Sequence, residues 1–209
     1  PRLLLRLSLP AVTAQVINAL YNIVDRMYIG RIAVIGTDAL TGVGITFPII
    51  MIISAFASLI GMGGAPFTSI KLGQKDSEGA ERILGNCTTL LVTVSVILTV
   101  ALLFVKQPLL YLFGASDVTF PFANEYLSTY LIGTLAVQLS LGLNAFITAQ
   151  GFASTAMATV LIGAICNIVL DPIFIFLLGM NVQGAALATI ISQTVSAVWV
   201  IVFLNGKKT

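Results

Sequence analysis

The sequence contains no histidine and only two cysteines, and charged side chains make up 9% of its 209 residues. Each shortage removes a class of function. Without histidine, and with Cys87 and Cys166 both inside apolar stretches, the chain has no ligand set for zinc or haem. The two thiols read as small packing hydrophobes and say nothing about redox compartment. Soluble domains carry about 25% charged residues, so a chain at 9% reads as an integral membrane protein. Ten basic against eight acidic residues leave a net charge of +2. No basic stripe or aromatic–basic interleaving suggests a nucleic-acid partner. The chain starts at Pro1 with no visible cleavable signal, so a fragment of a longer protein is expected.

What is present is apolar sequence: 58% of residues are hydrophobic, and the mean hydropathy is +1.06. Backbone groups in lipid must be satisfied within the segment, so an all-α polytopic fold is expected and sheets are not. The hydrophobic runs place six spans at roughly 7–29, 39–67, 83–105, 126–149, 156–179 and 184–204. They form a single lobe, 1–209. Span 2 holds Gly42, Gly44, Pro48, Gly61, Gly63 and Gly64, which permit close packing and bending. Residues 71–82 form the one strongly charged loop, in which Asp76 or Ser77 can cap the next helix. The LLYLFGAS stretch after Lys106 reads as a short interfacial helix ended by Gly114.

Six spans put both termini on one side. Arg2, Arg6, Lys71, Lys75, Arg82, Lys207 and Lys208 share that side, against Arg26, Arg31 and Lys106 on the other. The positive-inside rule then places both termini in the cytoplasm.

The chain is organised around 161–180, LIGAICNIVLDPIFIFLLGM. This stretch spans a bilayer, since a transmembrane helix needs about 20 apolar residues. Asp171 lies at its middle, where an aspartate costs roughly 2.5–3.5 kcal/mol on insertion scales. Asn167 precedes it by one turn on the same face. Pro172 follows and loosens the backbone at Ile168. A carboxylate, an amide and a bend within one turn suit a cation or a proton. The bland alternative is a neutral Asp171 hydrogen-bonded to Asn167. In span 1, Asn18, Tyr21 and Asp25 fall on one stripe. Asp25 also neighbours Arg26, so an interfacial ion pair is its alternative reading. Span 4 carries Gln138, Ser140, Asn144 and Thr148, and span 6 carries Thr189, Ser192, Gln193 and Ser196. Asn144 and Thr189, taken alone, read more often as helix–helix glue.

Residues 21–30, YNIVDRMYIG, resemble the first helix of multidrug and toxic compound extrusion (MATE) transporters, particularly bacterial MepA-like and DinF-like members. Leu72-Gly73-Gln-Lys-Asp76 resembles their first cytoplasmic loop. Ala149-Gln150-Gly151 and Asn167-Ile-Val-Leu-Asp171-Pro172 resemble the end of their fourth helix and their fifth. Gly184-Ala185-Ala186-Leu-Ala-Thr189 resembles the start of their sixth. The resemblance implies twelve helices in two lobes, of which this chain is the amino-terminal one. It implies cation-coupled efflux, driven by sodium or protons, of cationic amphipathic compounds across the plasma (inner) membrane, with no enzyme activity and no cofactor. Asp25 and Asp171 would be the ion-binding carboxylates, and Asn167 and Thr189 would complete a sodium site. Asn18, Tyr21 and Asn144 would line the adjacent cavity, with Pro172 as hinge. Alternating access needs two bodies, so a carboxy-terminal lobe or a second copy is an implied partner besides lipid. A lipid-linked precursor flippase of the same superfamily is the near alternative, but no cationic residue lies deep in the spans. An intramembrane aspartyl protease is the far one, and the residues before Asp25 and Asp171 do not match its motifs.

Overall fold

The computed structural model describes the backbone of residues 2–206 and the side chains of 8–206. Within them lie seven α-helices: α1 (Arg2–Gly30), α2 (Gly36–Gly73), α3 (Ser77–Leu112), α4 (Phe120–Ile132), α5 (Thr134–Ala149), α6 (Ala153–Pro172) and α7 (Asn181–Leu204). A π turn, Ile173–Leu177, extends α6. No strand occurs among the described residues. Lys207 and Lys208, from the charge count, lie outside them, as do the side chains of Arg2 and Arg6.

Four helices are long and apolar enough to cross a membrane: α2, α3, α6 with its π turn, and α7. The α4–α5 pair, bent by 60°, makes a fifth crossing if taken as one span. The chain is thus a multi-pass membrane protein. Its outward faces agree, because long apolar side chains such as Leu59, Met62, Phe104 and Leu177 point away from the bundle.

The helices depart from the predicted spans in three ways. Most run beyond the apolar cores that hydropathy locates, because a helix continues past the lipid where its ends are capped. At α3 the cap is Asp76, whose carboxylate accepts the Gly79 N–H at 2.9 Å and pairs with Lys71 at 2.8 Å. The predicted interfacial helix does not exist separately. α3 runs straight through Pro108 to Leu112 and stops where Gly114 turns left-handed at φ +99°. An interior proline removes one helix hydrogen bond and crowds the carbonyl four residues back, yet α3 continues past Pro108 for another turn. The fourth span is broken at Gly133. A side chain there would strike Ile190 of α7, so the close crossing of α7 fixes where the bend falls.

Two apolar layers hold the bundle. One joins the end of α1, the first half of α2, α4 and the start of α7 through Ile29, Ile49, Leu127 and Val182. The other joins the second half of α2 with α5, α6 and the end of α7 through Ile60, Phe146, Ala156 and Val200. Polar side chains from α1, α5, α6 and α7 fill the level between them.

Candidate functional site: a carboxyl pair in a polar cleft

α1 packs mainly on α6, and α6 on α7. That packing turns the Asn18–Tyr21–Asp25 stripe toward Asn167 and Asp171. Asp171 is fully buried and Asp25 is 8% exposed. The two carboxyls lie against one another. Asn167 donates its amide to Asp171 Oδ1 at 3.2 Å and to Thr189 Oγ1 at 3.4 Å. Thr189 in turn donates to the Ala185 carbonyl at 3.0 Å. The structure therefore brings Asp25, Asn167, Asp171 and Thr189 together from α1, α6 and α7.

This cluster is short of donors. Asp25 Oδ1, Asp171 Oδ2 and Asn167 Oδ1 are all buried without a hydrogen-bond partner. An unsatisfied buried acceptor costs about 1–3 kcal/mol, and two adjacent carboxylates repel. Hard oxygens from carboxylate, amide and hydroxyl fit a sodium ion, and the same geometry fits a shared proton.

Asp25 makes no ion pair with Arg26, so the interfacial reading of Asp25 is displaced. The Arg26 guanidinium instead sits over the Phe47 ring, 5.4 Å from its centroid. Helix periodicity explains this, since adjacent residues point about 100° apart. Asp25 turns into the bundle while Arg26 stays at the rim.

The pair opens into a cleft of about 440 Å³, lined by Asn18, Tyr21, Phe47 and Met51 among others. Tyr126 and Tyr130 of α4 also line it, their rings stacked 6.2 Å apart. These tyrosines were not singled out from the sequence. Their i, i+4 spacing is the signal that could have found them, but it looks like ordinary core packing. Beside the pair lies a narrower chamber of about 50 Å³ between α5, α6 and α7, which Asn18, Tyr21 and Asn144 also line. Gln138, by contrast, turns away and donates to the Ile53 carbonyl of α2 at 2.9 Å. Pro172 stands at the junction of α6 with its π turn, where Leu178 N–H reaches back to the Ile173 carbonyl at 2.9 Å. Such widened turns occur often at functional sites.

An all-helical membrane bundle with a buried carboxyl pair facing a cleft can hold a cation or a proton at membrane depth. The MatE family model matches residues 10–173, and the chain belongs to that family. It is 28% identical over 204 residues to the multidrug export protein MepA of Staphylococcus haemolyticus, covering 98% of this chain and 45% of that protein. It is also 28% identical to an FAD transporter of Shewanella oneidensis, covering 93% of this chain and 43% of that one. A solved structure, described as the outward-facing conformation of a multidrug resistance MATE family transporter of the MOP superfamily, superposes with TM-score 0.90 at 30% identity. That match covers 99% of this chain and 45% of the other. The chain thus spans about half the length of the proteins it matches.

Proposed function

We propose that this chain is the amino-terminal lobe, 1–209, of a cation-coupled multidrug efflux antiporter. The observation that carries the reading is the Asp25–Asp171 carboxyl pair, buried among unpartnered oxygens and open to an aromatic cleft. In this reading Asp25, Asn167, Asp171 and Thr189 hold sodium or a proton. Asn18, Tyr21 and Asn144 line the path of a cationic amphipathic substrate. Substrate and coupling cation compete for one negative charge, so arrival of one releases the other. Bending at Pro172 and its π turn exposes the site to alternate sides. α1 supplies the sixth crossing, and both termini face the cytoplasm of a cell whose inner membrane holds the protein. The second body is a further lobe or a second copy of this one.

Cation occupancy is tested by ligand linkage. Sodium at about 100 times its dissociation constant stabilises a folded protein by about 2.7 kcal/mol. Thermal unfolding in sodium, against potassium at equal ionic strength, is expected to show an increment that vanishes in Asp171→Asn. An undiminished increment in that variant would place the sodium site elsewhere.

A further inference from the structure

Away from the polar cleft, a groove of about 520 Å³ runs between α2 and α3. Gly63, Gly64 and Cys87 make its floor, and Leu59, Phe67 and Leu90 rise beside it with exposed side chains. A Cβ at Gly64 would stand 2.5 Å from Cys87 Sγ, so the two helices touch there. A Cβ at Gly63 would meet nothing within 4 Å, so the side chain missing at that position opens the groove. Leu59 to Phe67 spans about 12 Å along the axis at 1.5 Å per residue. Both helices are long and apolar enough to cross the membrane, so the groove is reached from the lipid.

Its upper end meets the charged connection between the two helices. Lys71 continues the Gly63–Phe67 face of α2 by one more turn. The acids of this connection are already engaged or turned elsewhere. Asp76 accepts from Lys71 and from the Gly79 N–H, and Glu78 pairs with Arg82 at 2.6 Å. Glu81 lines a separate depression with Leu84 and Thr88, between α3 and α7. Lys75 is left over: it is exposed and makes no hydrogen bond or ion pair among the described residues. An apolar slot at membrane depth therefore ends beside one uncompensated positive charge.

We infer that this groove seats an acyl chain of an anionic phospholipid, whose phosphate is drawn to Lys75 and Lys71. The slot has no polar side chain to hold a hydrated ligand, and basic residues next to a membrane helix attract anionic lipid. Lys71 takes part without releasing Asp76, because an ammonium has three protons to donate. A zwitterionic lipid fills the slot as well but brings no net charge to Lys75. The inference concerns the lipid-facing surface of the lobe and does not depend on what the cleft transports.

Cys87 is a reporter inside the groove, since it is partly exposed and a seated chain covers its thiol. Its alkylation by N-ethylmaleimide is timed on the detergent-purified protein carrying both lobes, with every other cysteine replaced. Dioleoyl phosphatidylglycerol or dioleoyl phosphatidylcholine is titrated into the micelles. One lysine beside an anionic headgroup corresponds to about 5-fold in affinity. Half-protection is expected at about 5-fold less phosphatidylglycerol than phosphatidylcholine. Lys75→Gln leaves the Lys71–Asp76 pair in place and is expected to bring the two half-points together. Cys166, measured alone in a Cys87→Ala background, is expected to show no headgroup preference. Equal half-points in the wild type, a preference that survives Lys75→Gln, or the same preference at Cys166 would overturn the lipid site. Protection that follows protein concentration rather than lipid would put a second copy in the groove and overturn it too. Each of these results leaves the efflux reading in place, because that reading is tested by transport.

Discussion

Replacing Gly61 by alanine, with Gly63→Ala as its partner experiment, isolates what the close crossing of α2 and α5 contributes. Both glycines lie in α2, two residues apart. A Cβ at Gly61 would stand 2.5 Å from the Gly142 carbonyl oxygen and 3.0 Å from the Gly142 Cα. Both are backbone atoms, so no rotamer change relieves the clash. A Cβ at Gly63 meets nothing within 4 Å. The intrinsic helix preference for alanine, about 1 kcal/mol, applies to both positions and cancels in their difference. What remains is overpacking. The two helices must separate by roughly 0.5–1 Å, which forfeits a quarter to a half of the dispersion energy at each affected contact. Neighbours amplify the effect, because Gly142 packs on Leu91 of α3, and Gly64 on Cys87 and Phe146. Overpacking of this kind costs about 1–3 kcal/mol. For a chain of this size, each kcal/mol moves Tm by roughly 2–4 °C. Gly61→Ala is therefore expected to melt about 2–12 °C below Gly63→Ala in detergent, read by intrinsic fluorescence. Equal melting temperatures, or a more stable Gly61→Ala, would refute the claim that α2 and α5 meet backbone to backbone.

Two further outcomes follow from the charged loop and from the charge count. The Lys71 ammonium, and after it the Gly79 N–H, hold the Asp76 carboxyl below its ordinary value. A lowered carboxylate stabilises above the unfolded pKa, about 3.9, and that contribution is lost as pH falls through the folded value. Amide exchange at 77–80, corrected for its intrinsic pH dependence, is expected to show protection falling only below about pH 4. Protection in Asp76→Ala should already be low at pH 7, and a pH-independent profile in the wild type would contradict the cap. For topology, Lys75→Cys and Lys106→Cys, in a background without Cys87 and Cys166, are expected to react with impermeant thiol reagents from opposite sides of sealed vesicles. Reaction from one side would break the six-crossing arrangement.

Much of the bundle was legible because a bilayer imposes a coarse rule. Every long apolar run had to become helical, and each of the six did, the fourth as two helices bent at Gly133. The residues of the candidate site were legible for a related reason. Asp171 and Asn167 are costly at their depth, and only the helix repeat was needed to put them on one face. The break at Gly133 was not legible, because glycine is common inside membrane helices and only the approach of Ile190 gives this one its meaning. The extension of α3 through Pro108 was hidden by the usual equation of proline with an end. Tyr126 and Tyr130 escaped because a pair of aromatics one turn apart fits the core as well as a cleft. The separation of Asp25 from Arg26 needed the position of α6, since the two are adjacent in sequence and only packing decides which turns inward.

The central claim is that Asp171 works through its charge rather than through its packing. Asp171→Asn keeps the volume of the side chain and mimics the protonated acid, so the bundle is expected to fold and reach the membrane. Drug efflux is to be followed in vesicles carrying the protein with both lobes, under imposed sodium and proton gradients, with the amount of inserted protein matched. The account predicts that Asp171→Asn abolishes gradient-driven efflux while the wild type transports. Efflux at the wild-type rate by Asp171→Asn would contradict it, and Asp171 would then be a structural, hydrogen-bonded acid.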